Sequence, residues 1–348
     1  MKRHINVIPA ELLTSVSVDA SSLQTDEGAT AFAEVMDTFG FAVITNVLTE
    51  EEAAVAEALF DEDLFSIVDL PDDEKLKQTC FQPKSGGKSY AKRWPSDMFP
   101  LGRANPAFAS DYGLPQGKCA WKCRTNPNVH RVFEVMFGGC KDLCVGMDNI
   151  FFDNSRENHT IPDADREEDL WPHADQSLHA DGGDKPCYQG ILYLWPSNEY
   201  SSTTVVWPGS HKDAYVKMMA ERAYGHHYCR LPPQYHEDFA NGAVRVVIPR
   251  GGMILWNSKL LHQGWNIGPR LAVPICMEPK ERRAEGVIDR KRLAVEKGVP
   301  TTHWASLGLI HGCVTERPGG SKKFPLCAKA QEWIMASGDI DLAIAELL

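Results

Sequence analysis

The sequence has few of the patterns that identify secreted proteins or zinc proteins. Its 348 residues include 10 cysteines, too few for a disulfide scaffold, and none of them forms a C-x-x-C pair. The nearest pairs, Cys119/Cys123 and Cys140/Cys144, have no second pair placed to complete a four-ligand zinc site. We therefore expect reduced, mostly buried thiols.

Long apolar runs and excess positive charge are also absent. No run approaches the roughly 20 apolar residues that a membrane-spanning helix needs, and no apolar segment of signal-peptide length follows Lys2 and Arg3. The net charge of -11 argues against nucleic acid or an anionic membrane as the main partner. We expect a cytoplasmic protein that is a monomer or a weak homodimer and binds a small molecule.

The pattern of elements predicts a mainly β fold with a helical buttress. Helical spacing covers Thr30–Thr38, a β-rich run follows at Gly40–Ile44, and Thr49 can cap a further helix. Residues 80–118 have a loop-like composition, and Asn128–Gly138 has helical spacing. After these, short strands with turn signals are predicted at Leu143–Phe152, Trp171–Asp175, Cys187–Leu194, Thr203–Trp207, Ala243–Ile248, Met253–Trp256 and Leu271–Met277.

No linker or repeat divides the chain, so we expect a single domain over residues 1–348. Its expected parts are an N-terminal helical and loop portion over about 1–140, a β core over about 141–280 and a C-terminal helical extension over about 281–348. With 43% hydrophobic residues, the chain can bury a sizeable core.

One segment combines a histidine and an aspartate with strand spacing. In Trp171-Pro172-His173-Ala174-Asp175, the two side chains lie two positions apart and would project from the same side of a strand. His262 follows the apolar run that begins at Met253 and could supply a third ligand. Two imidazoles and one carboxylate leave coordination positions open, as in non-haem iron oxygenases, and they suit Fe(II) better than thiolates do. We predict His173, Asp175 and His262 as metal ligands and as the catalytic centre.

A second His-x-Asp pair shows that this spacing alone is weak evidence. His179-Ala180-Asp181 repeats the pattern, but it continues directly into Gly182-Gly183, a turn signal. We therefore assign the ligands to His173 and Asp175 and interpret the second pair as part of a loop.

Arg270 is the residue that extends the prediction beyond a metal site. It follows His262 by eight residues, after the Gly268-Pro269 turn. A buried guanidinium can bind a carboxylate through two parallel hydrogen bonds. Two alternatives remain open: a zinc or other cupin-type metalloenzyme without oxygen chemistry, and a non-catalytic jelly-roll binding protein.

Several segments together resemble the phytanoyl-CoA dioxygenase superfamily, most closely a branch found in fungi and algae. The matching segments are Gly40–Ile44, Ala120–Pro127, Trp171–Ser177, Cys187–Gly190, Pro208–His211, Ile254–Ser258 and Thr301–Trp304. The resemblance covers nearly the whole chain. It implies a double-stranded β-helix (jelly-roll, cupin-like) core and a dioxygenase that uses Fe(II), 2-oxoglutarate and O₂.

The resemblance also implies roles for individual residues. His173, Asp175 and His262 match the iron triad, and Arg270 matches the residue that binds the distal carboxylate of 2-oxoglutarate. Gln189 matches a side chain placed against the co-substrate. Two departures are a short interval between His262 and Arg270 and Gly264 at a position where some members have serine. Gln189 or Asn149 could compensate at the co-substrate.

The substrate is the least defined part of the prediction. Arg124 beside Trp121 either belongs to the edge of the core or lines a substrate cavity. The basic segment 84–103, which includes Arg93, could cover an anionic substrate. We expect a small carboxylate or amino-acid-like natural-product precursor, oxidised at a C–H bond by hydroxylation, desaturation or cyclisation with release of succinate and CO₂.

Overall fold

A computed structural model describes residues 2–67, 114–153, 166–266, 268–309 and 346–348. The chain divides into two compact units, each built from separate stretches of sequence. The first contains Met1–Val47, Ser155–Gly190 and Pro196–Pro269, and the second contains Leu48–Asn154, Ile191–Trp195 and Arg270–Leu348. The single domain expected from the sequence stays a prediction.

The first unit contains most of the short strands. Its elements, in chain order, are β1 (Lys2–Arg3), α1 (Ala10–Val16), β2 (Ser17–Asp19), α2 (Asp26–Phe39), β3 (Phe41–Thr45), β6 (Glu168–Asp169), β7 (His173–Ala174), the start of β8 (Tyr188–Tyr193), β9 (Thr203–Val206), α6 (Asp213–Glu221), β10 (Cys229–Arg230), α7 (His236–Phe239), β11 (Val244–Arg245), β12 (Met253–Asn257) and β13 (His262–Trp265). Short 3-10 turns lie at Ala20–Gln24, Pro233–Tyr235 and Ala240–Gly242.

One sheet of this unit has the strand order β10-β7-β13-β9-β11 among the described residues. Its strands pair antiparallel, and His262 on β13 is in register with both His173 on β7 and Val206 on β9. In a second sheet, β3 pairs in parallel with β2 and antiparallel with β12. A buried apolar cluster packs strands β7, β9, β10 and β13 against α6, and includes Trp265, Tyr215 and Met218. Since this packing holds the strands β7 and β13 side by side, it positions the histidines that they carry.

Gly40 ends α2 and lets the chain enter β3. Its φ of 78° is left-handed, a conformation that glycine adopts without steric cost. A Cβ atom at this position would lie 2.4 Å from His211 Nδ1 and 2.7 Å from Leu260 Cδ1. Both the conformation and the close approach therefore require glycine.

The second unit combines helices with a long strand. Its elements are α3 (Glu50–Ile67), α4 (Lys118–Arg124), α5 (Pro127–Met136), β4 (Leu143–Gly146), β5 (Phe151–Asp153), the end of β8, β14 (Arg270–Pro279) and α8 (Val287–Lys297), with 3-10 turns at Leu114–Gln116 and Lys280–Arg282. Every residue of β14 is buried. The strand pairs antiparallel with β5 through its first residues and with β4 through its last.

Helix capping in this unit follows the sequence. The Glu52 N–H donates to Thr49 Oγ1, and Glu52 Oε2 accepts from the Thr49 N–H, which is the reciprocal arrangement of a capping box. Asn126 caps α5 and Pro127 occupies its first turn. The predicted start of the second helix at Thr49 is confirmed.

The predicted elements are largely present, within a structure that is mixed α/β and contains several sheets. The predicted strand Leu143–Phe152 is two strands, β4 and β5, and the predicted strand at Trp171 is shorter, since β7 contains only His173–Ala174. None of the described cysteines forms a disulfide bond, and all but Cys140 are buried. Among the described residues, no helix is long and apolar enough to span a membrane.

Candidate metal centre

Two paired strands of the first unit hold the predicted histidines. His173 and His262 are directly opposite each other on β7 and β13, and directly opposite residues of paired strands project to the same face. Asp175 follows β7, and its backbone N–H donates to the Ser258 carbonyl at 2.9 Å. This hydrogen bond fixes the aspartate beside the two strands.

The three predicted ligand side chains converge. His262 Nε2 lies 3.2 Å from Asp175 Oδ2, and His173 Nε2 lies 3.8 Å from Asp175 Oδ1. One ligand atom from each residue lies within 4.8 Å of the others, and both histidines are buried. Among the described residues, this is the group of histidine, cysteine and acidic side chains that could hold a metal ion.

The other ring nitrogen of each histidine contacts a backbone carbonyl. His262 Nδ1 lies 3.0 Å from the Leu260 carbonyl, and His173 Nδ1 lies 3.3 Å from the Trp171 carbonyl. Because a carbonyl oxygen only accepts hydrogen bonds, each Nδ1 carries the proton of the neutral ring. Each Nε2 lone pair is then left for a metal ion bound beside the Asp175 carboxylate. The donor set therefore fits a divalent metal ion.

Gln189 supports the carboxylate of this group. Its side-chain N–H₂ donates to Asp175 Oδ2 at 3.1 Å and to Ser258 Oγ at 3.3 Å. The Ser258 backbone also accepts from Asp175 and donates to Cys187. Gln189 thus orients the carboxylate of a candidate metal ligand, a role that the sequence did not indicate; its predicted contact with the co-substrate stays a prediction.

Aromatic rings pack against both histidines. The Trp171 ring stacks on His173 at 5.0 Å with an interplanar angle of 8°, and Tyr228 lies 4.9 Å from the same imidazole. Trp256 lies 5.1 Å from His262. The Glu168 carboxylate hydrogen-bonds to the Trp171 side chain, and burial raises the pKa of Glu168 to about 7. The ring contacts restrict the orientation of the two imidazoles.

The second His-x-Asp pair is engaged elsewhere. His179 Nε2 lies 3.0 Å from the Met219 carbonyl, and the Asp181 carbonyl accepts from His227 Nε2 at 2.9 Å. Residues 178–184 contain turns and bends rather than strand. This placement agrees with the interpretation of the second pair as part of a loop.

Arg270 and Asn149 belong to the second unit, where both are buried. The Arg270 guanidinium donates to Tyr193 Oη at 2.7 Å and lies 4.2 Å from the Phe151 ring centre. Burial lowers its pKa, and no carboxylate of the described residues forms an ion pair with it. Asn149 donates from Nδ2 to Asp148 Oδ1, while its Oδ1 has no hydrogen-bond partner among the described residues. Arg270 is therefore a buried cation that suits an anionic ligand.

Arg124 and Trp121 are fully buried in the same unit. The Arg124 guanidinium donates to the carbonyls of Pro115 and Asp148 and lies 5.2 Å from the Trp121 ring, and burial lowers the pKa of Arg124 to about 10. These contacts favour the structural alternative for Arg124; a contact with substrate stays a prediction. Arg93 and the basic segment 84–103 lie outside the described residues.

Sequence reasoning missed Tyr228, Ser258 and the structural link from Glu168 to Trp171. Tyr228 lies 55 residues after His173 in the sequence, immediately before the two-residue strand β10. In the sequence, Tyr228 belongs to a short polar and aromatic run beside a loop. Such a run does not show which strand it pairs with.

No family model matches the chain. A curated relative, Ava biosynthesis cluster protein O from Aspergillus versicolor, is 25% identical over 223 residues, which cover 58% of this chain and 68% of that protein.

Solved structures similar to this chain include several proteins at low sequence identity. The epimerase SnoN, in complex with Fe³⁺, alpha ketoglutarate and nogalamycin RO, is 14% identical with a TM-score of 0.48, over 74% of this chain and 85% of that chain. GlcNAc Inducible Gene 2, GIG2 (DUF1479), from Candida albicans is 13% identical with a TM-score of 0.49, over 96% and 89%. EctD from S. alaskensis, with 2-oxoglutarate and 5-hydroxyectoine, is 13% identical with a TM-score of 0.43, over 82% and 86%. Similarity at this level does not establish a reaction or a substrate for this chain.

Proposed function

We propose that this protein is an Fe(II)- and 2-oxoglutarate-dependent dioxygenase with a jelly-roll core, related to the phytanoyl-CoA dioxygenase superfamily. It oxidises a C–H bond of a small molecule and releases succinate and CO₂. The observation that carries the proposal is the convergence of His173 Nε2, His262 Nε2 and the Asp175 carboxylate in one buried group. Two imidazoles and one carboxylate are the ligand set that leaves a non-haem iron open for further ligands.

The donor set differs from that of a structural zinc site. The group contains no thiolate, the ligand type that selects for structural zinc, and both imidazoles already have the tautomer that ligation needs. When bound, iron would supply the oxygen-dependent oxidation that no amino-acid side chain provides. The chain itself orients the ligands through Gln189 and the Trp171 ring.

Arg270 is proposed to bind the distal carboxylate of 2-oxoglutarate. Its support is a buried guanidinium, held by Tyr193 and facing the Phe151 ring, with no carboxylate of the described residues in an ion pair with it. An unpaired buried charge is costly, and an anionic ligand would offset that cost. Asn149, whose Oδ1 lacks a partner among the described residues, is proposed as a further co-substrate contact.

The substrate class proposed is a small carboxylate or amino-acid-like natural-product precursor. The name of the Aspergillus versicolor relative places that protein in a biosynthesis cluster. In the sequence, the basic segment 84–103 and Arg124 had indicated the same class.

The proposal is tested by anaerobic titration with Fe(II) and 2-oxoglutarate. We expect a weak visible charge-transfer band in the wild-type protein, no band in His173→Ala, and an unchanged band in His179→Ala. The two variants are matched, since each removes the histidine of a His-x-Asp pair. Absence of the band from the wild type, or equal bands in both variants, would refute the assignment.

A further inference from the structure

Strand β10 brings a cationic residue to the face that carries the candidate ligands. Arg230 on β10 is directly opposite His173 on β7, which is directly opposite His262 on β13. The adjacent Leu231 N–H donates to the Pro172 carbonyl at 2.8 Å, which fixes this register. Because directly opposite residues of an antiparallel pair project to the same face, Arg230 leaves the sheet on the side of both histidines.

Tyr228 lies two residues before Arg230 and contacts His173, one of the candidate metal ligands. Its ring centre is 4.9 Å from that of His173, although 47% of the tyrosine remains exposed. The hydroxyl forms no hydrogen bond with any described residue. Burial raises the pKa of this phenol, the negative charge of Asp175 acts in the same direction, and Arg230 acts against it. An exposed aromatic face and a free hydroxyl thus adjoin the metal ligands.

The Arg230 guanidinium is available to a ligand. The residue is exposed, and its backbone carbonyl is held by the Tyr224 hydroxyl at 2.8 Å. None of the described residues forms an ion pair or a side-chain hydrogen bond with its guanidinium. The backbone is therefore fixed, while the charged group has no partner in the described part of the chain.

We propose that Arg230 and Tyr228 recognise the substrate: the guanidinium binds a carboxylate, and the ring packs against the carbon frame beside it. This inference rests on the proposed function and assigns recognition to residues that the sequence did not indicate. The substrate class is a small organic acid with an apolar body, because a guanidinium selects a carboxylate and an aromatic face selects apolar surface. The competing explanation is that the charge of Arg230 serves only to keep the edge strand β10 from pairing with another chain.

The test measures binding rather than turnover. Protein loaded with Ni(II) and 2-oxoglutarate is titrated calorimetrically with matched acids and amides: 3-phenylpropionate with 3-phenylpropionamide, and N-acetylphenylalanine with its amide. We expect the wild type to favour at least one acid over its amide by about tenfold or more. Arg230→Gln should remove this preference, Arg230→Lys should retain part of it, and Tyr228→Ala should weaken acid and amide alike.

Arg222→Gln is the matched control, since this neighbouring arginine packs over Tyr224 instead, with 4.9 Å to the ring centre. It should keep the wild-type preference for acids. The inference is overturned if no acid binds preferentially to the wild type, or if Arg230→Gln keeps the preference. It is also overturned if Arg230→Gln loses 2-oxoglutarate affinity, because Arg230 would then bind the co-substrate. Failure of the wild type to bind Ni(II) and 2-oxoglutarate would instead refute the proposed function.

Discussion

The side-chain N–H₂ of Gln189 lies 3.1 Å from Oδ2 of Asp175, the same oxygen that lies 3.2 Å from His262 Nε2. A neutral amide donor at this position holds the carboxylate without adding charge. The second N–H of Gln189 is directed to Ser258 Oγ at 3.3 Å. The orientation of Asp175 therefore depends on a residue 14 positions away in sequence.

Replacing Gln189 with leucine should weaken metal binding. The substitution removes the donor to Asp175 while keeping a side chain of similar size, and loss of such a supporting hydrogen bond typically lowers metal affinity about 10- to 100-fold. Titration of the protein with Co(II), followed by its visible absorption, measures this affinity. Gln234→Leu, at an exposed glutamine, should have wild-type affinity. Equal Co(II) affinity in wild type and Gln189→Leu would show that Gln189 does not position the carboxylate.

Replacing Arg270 with methionine should raise the stability of the protein and weaken its binding of 2-oxoglutarate. The wild-type guanidinium is buried without a carboxylate partner among the described residues, so an apolar side chain removes a desolvation cost. We expect a higher Tm without ligands and at least about a tenfold loss of 2-oxoglutarate affinity. Thermal unfolding and isothermal calorimetry measure the two effects. Arg292→Met, at an exposed arginine of α8, should change neither. Retained 2-oxoglutarate affinity in Arg270→Met would contradict the proposed role.

The sequence contained enough to predict which three side chains come together because their signal is local. His173 and Asp175 are two positions apart, and His262 follows an apolar run. The strand pairings around these side chains are not local. Arg230, on a two-residue strand, pairs with His173, which lies 57 residues earlier in the sequence. Strand register over such a separation depends on tertiary packing, which no local pattern encodes.

Arg124 is a residue whose environment the sequence did not predict. A basic residue near a tryptophan was compatible with a cavity wall, whereas the structure places the guanidinium on the Pro115 and Asp148 carbonyls with no exposed surface. Burial of a charged side chain depends on which backbone carbonyls surround it, and those carbonyls come from two separate segments. Residue type alone could not distinguish the two environments.

Replacing Gly40 with alanine should destabilise the protein by more than the strain of a left-handed φ alone. The new Cβ would clash with His211 Nδ1 and Leu260 Cδ1. The left-handed φ at this position would add backbone strain. We expect a loss of about 2–4 kcal/mol, from backbone strain and overpacking together. Gly138 has a similar φ of 66°, but a Cβ atom there would meet nothing within 4 Å, so Gly138→Ala should lose only about 1 kcal/mol. Urea unfolding monitored by circular dichroism compares the two, and equal losses would contradict the steric argument.

Asp63 should make stability fall as the pH rises from about 4 to about 7. Burial raises the pKa of this carboxyl to about 7, although its oxygens accept from the Lys118 and Cys119 N–H groups at the start of α4. A folded-state pKa above the ordinary value of 3.8 means that the folded state binds the proton more tightly than the unfolded chain. The associated stability is fully present below pH 3.8 and is lost as the pH rises through about 7.

Asp63→Asn should remove this dependence, because an amide cannot ionise. Between about pH 4 and 7, the wild type should lose stability relative to Asp63→Asn by at most about 1.4 kcal/mol per pH unit. Urea unfolding of both proteins at several pH values measures the difference. The exposed Glu62, beside Asp63, provides the control: Glu62→Gln should retain the wild-type slope. A difference that is constant with pH, or that grows toward acid, would show that Asp63 stays ionised in the fold and that its two backbone hydrogen bonds outweigh burial.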